Sequence, residues 1–469
     1  MGADRVRVAV AGATGFVGRR LCALLCSRGF EVTGLGRGVT DGARSDGVIW
    51  RRADLFSLLD CERALAGVDV VYYLVHSMMP SAKLTQARFE DMDLILADNV
   101  ARAAALGGAR RIIYLGGLVP GDAHLSRHLE SRREVEAALG AHGVPVTTLR
   151  AGLVIGPEGS SFRILERLVR RLPSMLLPRW TRQRTQPIAL DDVVELLVRA
   201  LERDAAVGEA IDIGGPDVVT YRELIERTAA AIGVKRRLID VPVGTPTLSE
   251  LWVTAVTGQP RQLAGPLIES LSHSMVADDR SEQLRMGVPG VDMDTAIQRA
   301  LAGVVAVPEV TVPRSERSRP EPRRVRSVQR MTLPRGRDAG WAARAYLDWL
   351  PRFLRPLLRV DRDEQRHGVF LRGAELLLLE LTGSPERSTP DRALLYVTGG
   401  ALARVAEPAR GRLELRCVLG GDTLLAAIHD FEPRLPWPVY LLTQAQGHLL
   451  VMAGYRRYLA RLASEMNLL

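Results

Sequence analysis

The chain has 469 residues, of which 47% are hydrophobic and 25% charged, and carries a net charge of +9. These are ordinary globular values; they exclude wholesale disorder, and the length suggests two or three domains. No apolar run approaches the roughly 20 residues that span a bilayer, and the opening Met1-Gly2-Ala3-Asp4-Arg5 leads straight into a strand without a secretory pattern, so a cytoplasmic protein is the expectation.

Strand and helix patterns alternate from the start. Val6–Ala11 reads as a buried strand, Gly15–Arg28 as a helix and Glu31–Leu35 as a second strand. A short strand at Val48–Arg51, a helix at Leu58–Leu65 and a strand at Val68–Val75 follow. Then come a long helix at Ala87–Leu106, a strand at Arg111–Leu115, a helix at Leu129–His142 and a strand at Val146–Leu149. Mostly apolar strands separated by helices predict a doubly wound parallel sheet covered on both faces. Beyond Ala151, helices at Phe162–Leu172, Asp191–Arg203 and Tyr221–Ile232 and a strand at Ala210–Ile213 are expected to build a small substrate lobe. The expected domains are 1–310, with the lobe from about 151 to 310, a Pro/Arg-rich linker over 311–326, and a second domain over 327–469.

The stretch Arg314–Arg330, which includes most of the linker, concentrates the positive charge, with Arg314, Arg317, Arg319, Arg323, Arg324, Arg326 and Arg330, and Pro313, Pro320 and Pro322 punctuate the same region. A solvated connector is the simpler reading; no nucleic-acid motif or aromatic interleaving supports binding to nucleic acid. Beyond the linker, Val328–Leu333, Gly368–Leu371, Glu375–Leu381, Ala393–Thr398, Arg412–Leu419 and Thr423–Phe431 read as strands, with a helix at Trp341–Leu358 and a final one from about Val439 to Leu462. This rhythm predicts an α+β domain. Cys22, Cys26, Cys61 and Cys417 form no CxxC pair and no His-rich spacing, so no metal site is expected.

The chemistry concentrates in Gly12-Ala13-Thr14-Gly15-Phe16-Val17-Gly18, which closes the first strand and opens the first helix. Gly12 permits the turn, Gly15 lets backbone approach a pyrophosphate, and Gly18 lets the helix pack on the strand. The helix N-terminus then offers free N–H groups to phosphate. At the end of the second strand stands Leu35-Gly36-Arg37, with no carboxylate for a ribose 2′-OH. Arg37 suits the 2′-phosphate of NADP, so NADP(H) is expected and NAD less so. Asp54 and Leu55 follow the third strand, where adenine would lie. Val75 and His76 end the fourth on the nicotinamide side, though His76 could equally be a satisfied polar residue beside the cleft.

These residues resemble the short-chain dehydrogenase/reductase superfamily, in its atypical NmrA-like branch, over about residues 5–305. The glycine loop carries the resemblance, with Tyr72-Tyr73-Leu74-Val75-His76-Ser77, Ile112-Ile113-Tyr114-Leu115-Gly116-Gly117-Leu118, Leu149–Gly156, Gln186–Val193 and Pro266–Leu271. The resemblance implies a serine after the fifth strand and Tyr-x-x-x-Lys on the next helix, and here the chain departs. Gly116 and Gly117 stand in the serine's place, and His128-Leu129-Glu130-Ser131-Arg132 puts histidine for tyrosine and arginine for lysine. Arg132 could bond ribose hydroxyls but, with a pKa expected above about 12, could not store a proton. His128 could act as a general acid near neutral pH, or be polar lining only. Residues 327–469 resemble START-like, polyketide-cyclase-like helix-grip domains, on the strand pair Gly411–Arg416 and Thr423–Phe431 and the Pro433–Pro438 lead into the last helix. His429, Asp430 and His448 look dispersed there. Three readings stay open: an NADPH-dependent oxidoreductase acting on a small hydrophobic carbonyl or enone, a non-catalytic NADP(H) sensor or partner-binding protein, and a hydrophobic-ligand carrier. Peripheral membrane contact is compatible with all three, and the oligomeric state is not legible.

Overall fold

In the computed structural model the described residues are 5–76, 84–121, 125–241, 269–315, 324–405 and 409–466. The chain divides into two compact units, Met1–Met79 with Leu96–Glu316, and Pro80–Ile95 with Arg317–Leu469.

The first unit is built on β1 (Arg7–Ala11), β2 (Glu31–Gly36), β3 (Arg44–Ser45), β4 (Val48–Arg52) and β5 (Val70–Tyr73), while β6 (Leu84–Gln86) belongs to the second unit. β7 (Arg111–Gly117) and β8 (Val146–Ala151) follow. Three short pairs lie beyond them: β9 (Val154–Ile155) with β12 (Ile188–Ala189), β10 (Ser174–Leu177) with β15 (Arg237–Asp240), and β11 (Arg184–Thr185) with β14 (Val219–Thr220). β13 (Ala210–Ile213) completes the main sheet, whose order is β13-β8-β7-β5-β1-β2-β4-β3. Every pairing is parallel except β3 with β4. β1 therefore has β2 on one side and β5 on the other, and the strand order reverses there; ligands of such sheets sit at the carboxyl ends beside that reversal.

Helices cover the sheet because the strands are apolar on both faces. α1 (Phe16–Ser27) buries Leu21, Cys22 and Leu25. α2 (Leu58–Leu65), α3 (Phe89–Leu106) and α4 (Arg127–Gly140) follow, Ser57 and Ser126 capping α2 and α4 through their hydroxyls. α5 (Ser160–Arg171), α6 (Leu190–Glu202), α7 (Tyr221–Ile232), α8 (Ser281–Arg285) and α9 (Met293–Ala302) come after. Two of these elements correct the expected lobe. β13 pairs with β8 as an eighth strand, and α6 buries Val193, Val194, Leu196, Leu197 and Val198 in the core shared with α1. The apolar stripe of α6 needs a sheet face to cover, and the Tyr72 hydroxyl donates to Leu197 O at 3.0 Å.

The second unit is an antiparallel meander of β17 (Leu358–Arg362), β18 (Arg366–Leu371), β19 (Leu376–Gly383), β20 (Arg392–Gly399), β21 (Arg412–Val418) and β22 (Thr423–Phe431). β16 (Val325–Thr332) closes it beside β22, and β6 adds a parallel edge strand. α10 (Ala339–Phe353), α11 (Trp437–Leu442) and α12 (Gln444–Met466) accompany it. The single final helix expected is thus broken at Thr443 (φ −118°, ψ −80°). α10 ends at Phe353, and Leu358 onward is strand rather than helix. Ala342, Tyr346, Leu350, Met452, Tyr455 and Leu459 of the helices pack on Leu395, Leu413, Leu415 and Leu424 of the sheet. The Tyr455 hydroxyl donates to Ala342 O at 2.6 Å, tying the two helices together.

Alternation puts charge on the opposite face, and that face is also buried. Glu414, wholly buried, accepts from Arg392 at 2.9 Å and Arg416 at 2.6 Å; His429 lies at 3.1 Å and Arg412 at 4.0 Å. Burial works to raise the Glu414 pKa, but Arg416, His429 and Arg392 overcome it and hold the carboxyl well below its ordinary range. Burial, with Arg412, lowers His429 to about 4. The supposed linker arginines join the same pattern: Arg324 pairs with Glu432, Arg326 with Asp430, and Arg330 with the buried Asp91. Arg330 lies on β16, within the strand expected at Val328–Leu333, and β16 begins early enough to take in Arg326 as well, which is strand and not solvated connector.

Candidate functional site

The β1–α1 turn is shaped by what its glycines exclude. Gly12 has φ +95°, and a Cβ there would stand 3.0 Å from Leu74 O. Gly15 N–H donates to Gly12 O at 2.9 Å, closing the turn. A Cβ on Gly18 would fall 2.2 Å from Gly12 O, so only glycine lets α1 lie this close to β1. α1 starts at Phe16 with Gly15 as N-cap, no side chain capping it and no acid in its first turn. Its N-terminal N–H groups and the positive end of its dipole are therefore available to an anion. Thr14 and Gly15 are exposed, and Phe16 and Val17 half-buried, on this rim. The Phe16 ring underlies Gly156 and Gly159, where a Cβ would stand 2.9 and 3.2 Å from it.

Next to this cradle, Arg37 is exposed just past β2. Register places Arg52 of β4 beside Gly36, so two arginines flank the corner where a ribose 2′ substituent would lie. Arg52 is a residue that sequence reading passed over, because only the β2–β4 register brings it to Gly36. Asp54 is half-buried, its carboxylate accepting from Phe56 N–H at 3.3 Å, and Leu55 is buried, its carbonyl accepting from the Asn99 amide at 2.8 Å. Both lie in the turn into α2, on the adenine side.

The other end gathers His76, His128, Arg132, Tyr73 and Tyr114. His76 follows β5 by way of Leu74 and Val75, and His128 stands in the first turn of α4. Their ring centroids are 5.1 Å apart with planes at 47°, so two residues 52 positions apart in sequence form one imidazole pair. Arg132, one turn beyond His128, is buried and donates to the Tyr114 hydroxyl at 3.3 Å. Tyr114 in turn packs on Tyr73, ring centroids 5.9 Å apart. A Cβ on Gly117 would meet Arg132 Cγ at 3.4 Å, an ordinary contact distance, so the glycine in the serine's place lies against the arginine's stem without being required by it. Burial lowers the Arg132 pKa to about 10. That corrects the expected value above about 12, yet leaves the group cationic at neutral pH. Glu136 is paired with Arg150 at 2.8 Å, outside this cluster. Tyr73 and Tyr114 were not singled out from the sequence because both read as buried strand residues. Ser77 and residues 242–268 lie outside the described residues, and among the described residues no group of side chains fits a metal ion.

The loop and the strand order are those of a doubly wound, Rossmann-type sheet. Residues 8–214 match the NAD dependent epimerase/dehydratase family. The chain is 30% identical to the auxiliary protein GraX of Staphylococcus aureus over 144 residues, 30% of this chain and 43% of GraX. It is 29% identical over 250 residues to the ceramide reductase of Caulobacter vibrioides, 50% of this chain and 73% of that one. Among solved structures, the triphenylmethane reductase of Citrobacter sp. superposes with a TM-score of 0.51 at 16% identity, covering 63% of this chain and 99% of that one, which is a likeness of fold. The chain spans less than half the length of GraX and 25% of its uncharacterized mycobacterial relatives. The likeness of fold makes the first unit a Rossmann-type α/β unit, and no helix among the described residues is long and apolar enough to cross a membrane.

Proposed function

We propose that this chain is an NADPH-dependent oxidoreductase that reduces a carbonyl or enone on a small hydrophobic molecule. The observation that carries the reading is the imidazole pair His76–His128, placed after β5 and on α4 at the carboxyl end of a sheet whose β1–α1 turn is shaped for a pyrophosphate. The turn would hold the pyrophosphate and Arg37 with Arg52 the 2′-phosphate. Asp54 and Leu55 would border the adenine, and Val75 the nicotinamide side. The bound dinucleotide supplies hydride. His128 donates the proton to the reduced oxygen or carbon, and His76 relays its replacement. Arg132, cationic and buried, orients Tyr114 and adds positive charge next to a developing oxyanion. A relative that reduces ceramide supports a hydrophobic substrate, and the short-chain dehydrogenase resemblance, in its NmrA-like form, fits the same site.

The second reading, a non-catalytic NADP(H) sensor or partner-binding protein, is favoured by Arg132 and Gly117 filling the place of the usual lysine and serine. The strand order and long last helix of the second unit support its resemblance to helix-grip domains. The carrier reading is the weakest, because Tyr346, Trp349 and Tyr455 fill the space between sheet and helices.

The test is cofactor consumption by the full chain against a panel of ketones, aldehydes and enones, with NADPH and NADH side by side. Wild type should prefer NADPH, and Arg37→Ala should weaken NADPH binding while sparing NADH. His128→Ala should lower kcat by about a hundredfold or more with the KM for NADPH unchanged. Unchanged turnover in His128→Ala would remove it as donor. Tight NADPH binding with no turnover on any substrate would establish the sensor reading instead.

A further inference from the structure

The second unit carries a surface that neither its core nor the nucleotide site uses. α10 ends in Arg352-Phe353, and the chain turns through Leu354-Arg355-Pro356-Leu357 into β17. Leu357 and Leu358 N–H both return to Leu354 O, at 2.7 and 3.1 Å, so the turn is tight and projects Arg355, Pro356 and Leu357 at its tip. Leu357 is 58% exposed. The exposed Phe353 ring is stacked on Trp349 at 4.4 Å and lies over Gly454 of α12, where a Cβ would stand 2.6 Å from it. One turn before Gly454 on the same helix face is Leu450, 60% exposed. Register adds the exposed Leu376, since Leu358 faces Leu371 and Leu371 faces Leu376. A Phe and three Leu side chains thus stand out on one end of this unit.

The charge around them is one-sided. Arg352 and Arg355 are exposed, and exposed Arg372 is held against the turn by its N–H to Leu357 O at 2.8 Å and its Nε to Leu358 O at 3.1 Å. None of these three has a carboxylate partner among the described residues. The carboxylates nearby are already engaged: Glu375 and Asp361 by Arg359 at 2.5 Å, and Asp348 by Arg362. Arg457 is exposed on the next turn of α12. Exposed apolar tips ringed by arginines with no internal counter-charge suit a phase that is both apolar and anionic. A protein partner would need acids placed among aliphatic pockets, whereas an anionic bilayer presents phosphate groups above acyl chains everywhere on its surface.

We propose that this end of the second unit docks on anionic membrane surfaces, with Leu357 and Phe353 entering the headgroup–acyl boundary and Arg352, Arg355 and Arg372 on the lipid phosphates. The docking is reversible, because a few apolar side chains and a small basic cluster make a weak anchor. The proposal does not depend on the redox chemistry of the first unit.

The experiment is co-sedimentation of the full chain with phosphatidylglycerol–phosphatidylcholine vesicles and with phosphatidylcholine vesicles alone. Binding to the first only, falling as salt rises, is the expected result. R352E/R355E should weaken it about tenfold or more, and Leu357→Ser should weaken it at any salt while keeping the wild-type melting curve. R352Q/R355Q is the milder companion should the reversed pair fail to fold. Equal binding to both vesicle types, no binding to either, or full binding by both arginine variants would each overturn the proposal. So would a dimer in light scattering that Leu357→Glu dissolves, since the patch would then be a contact between copies.

Discussion

The β1–α1 turn and the charged face of the second sheet solve the same problem, placing polar groups inside a protein, in opposite ways. The turn uses backbone: three glycines remove side chains so that N–H groups stand at a helix end with no partner of their own. The second sheet uses side chains: Glu414 is wholly buried and gathers three arginines and a histidine. The first leaves hydrogen-bonding capacity for a ligand, and the second pairs its charged groups with one another. Groups left available at a helix end are where function is expected; charged groups that pair with one another support the structure.

That contrast can be broken most directly at Glu414. Glu414→Gln leaves the arginines without their common counter-charge, so unfolding by urea should show a loss of about 3–5 kcal/mol; a loss under about 1 kcal/mol would mean the network is solvated and the contrast false. The next effect is acid sensitivity. The folded pKa of His429, about 4, lies below its ordinary 6.5, so its contribution is full above pH 6.5 and is lost as pH falls toward 4. The unfolding free energy should therefore drop over that window, by up to about 3 kcal/mol for this group, with the urea midpoint falling in step, and His429→Gln should flatten the slope. His448, also lowered to about 4 by burial, leaves a residual slope. The smallest stability change belongs to the turn. Gly18→Ala should cost about 1–3 kcal/mol by overpacking against Gly12, yet abolish most NADP(H) binding in a fluorescence titration. A variant that bound cofactor normally would show that the close α1–β1 approach is dispensable.

Much of this was legible in the residues. The alternation of apolar strands with amphipathic helices located β1, β2, β5, β7 and β8, and Leu58–Leu65, Ala210–Ile213, Tyr221–Ile232 and Thr423–Phe431 were placed to the residue. The glycine loop was readable because its requirement is local. What escaped was set by register and long-range packing. Arg52 reaches Gly36 only through the β2–β4 pairing. His76 and His128 meet only because β5 and α4 end at the same edge. The strand at 210–213 was recognised but assigned to a lobe, since a four-residue apolar run does not say which sheet it will join. Arg324 and Arg326 looked like a linker because composition is blind to the acids, Glu432 and Asp430, that wait for them elsewhere in the chain.

The strand at Leu84–Gln86 makes the two units inseparable by a single cut. It interrupts the first unit between β5 and the later part of α3, yet its ladder is with β16, and the Asp91–Arg330 pair follows it. A fragment ending near residue 316 would keep this excursion but lose everything it pairs with, exposing a strand edge and a buried carboxylate whose pKa burial has raised to about 6. A fragment beginning at Arg317 would lack the edge strand and Asp91, the counter-charge of Arg330. The protein is thus one covalent weave of two sheets.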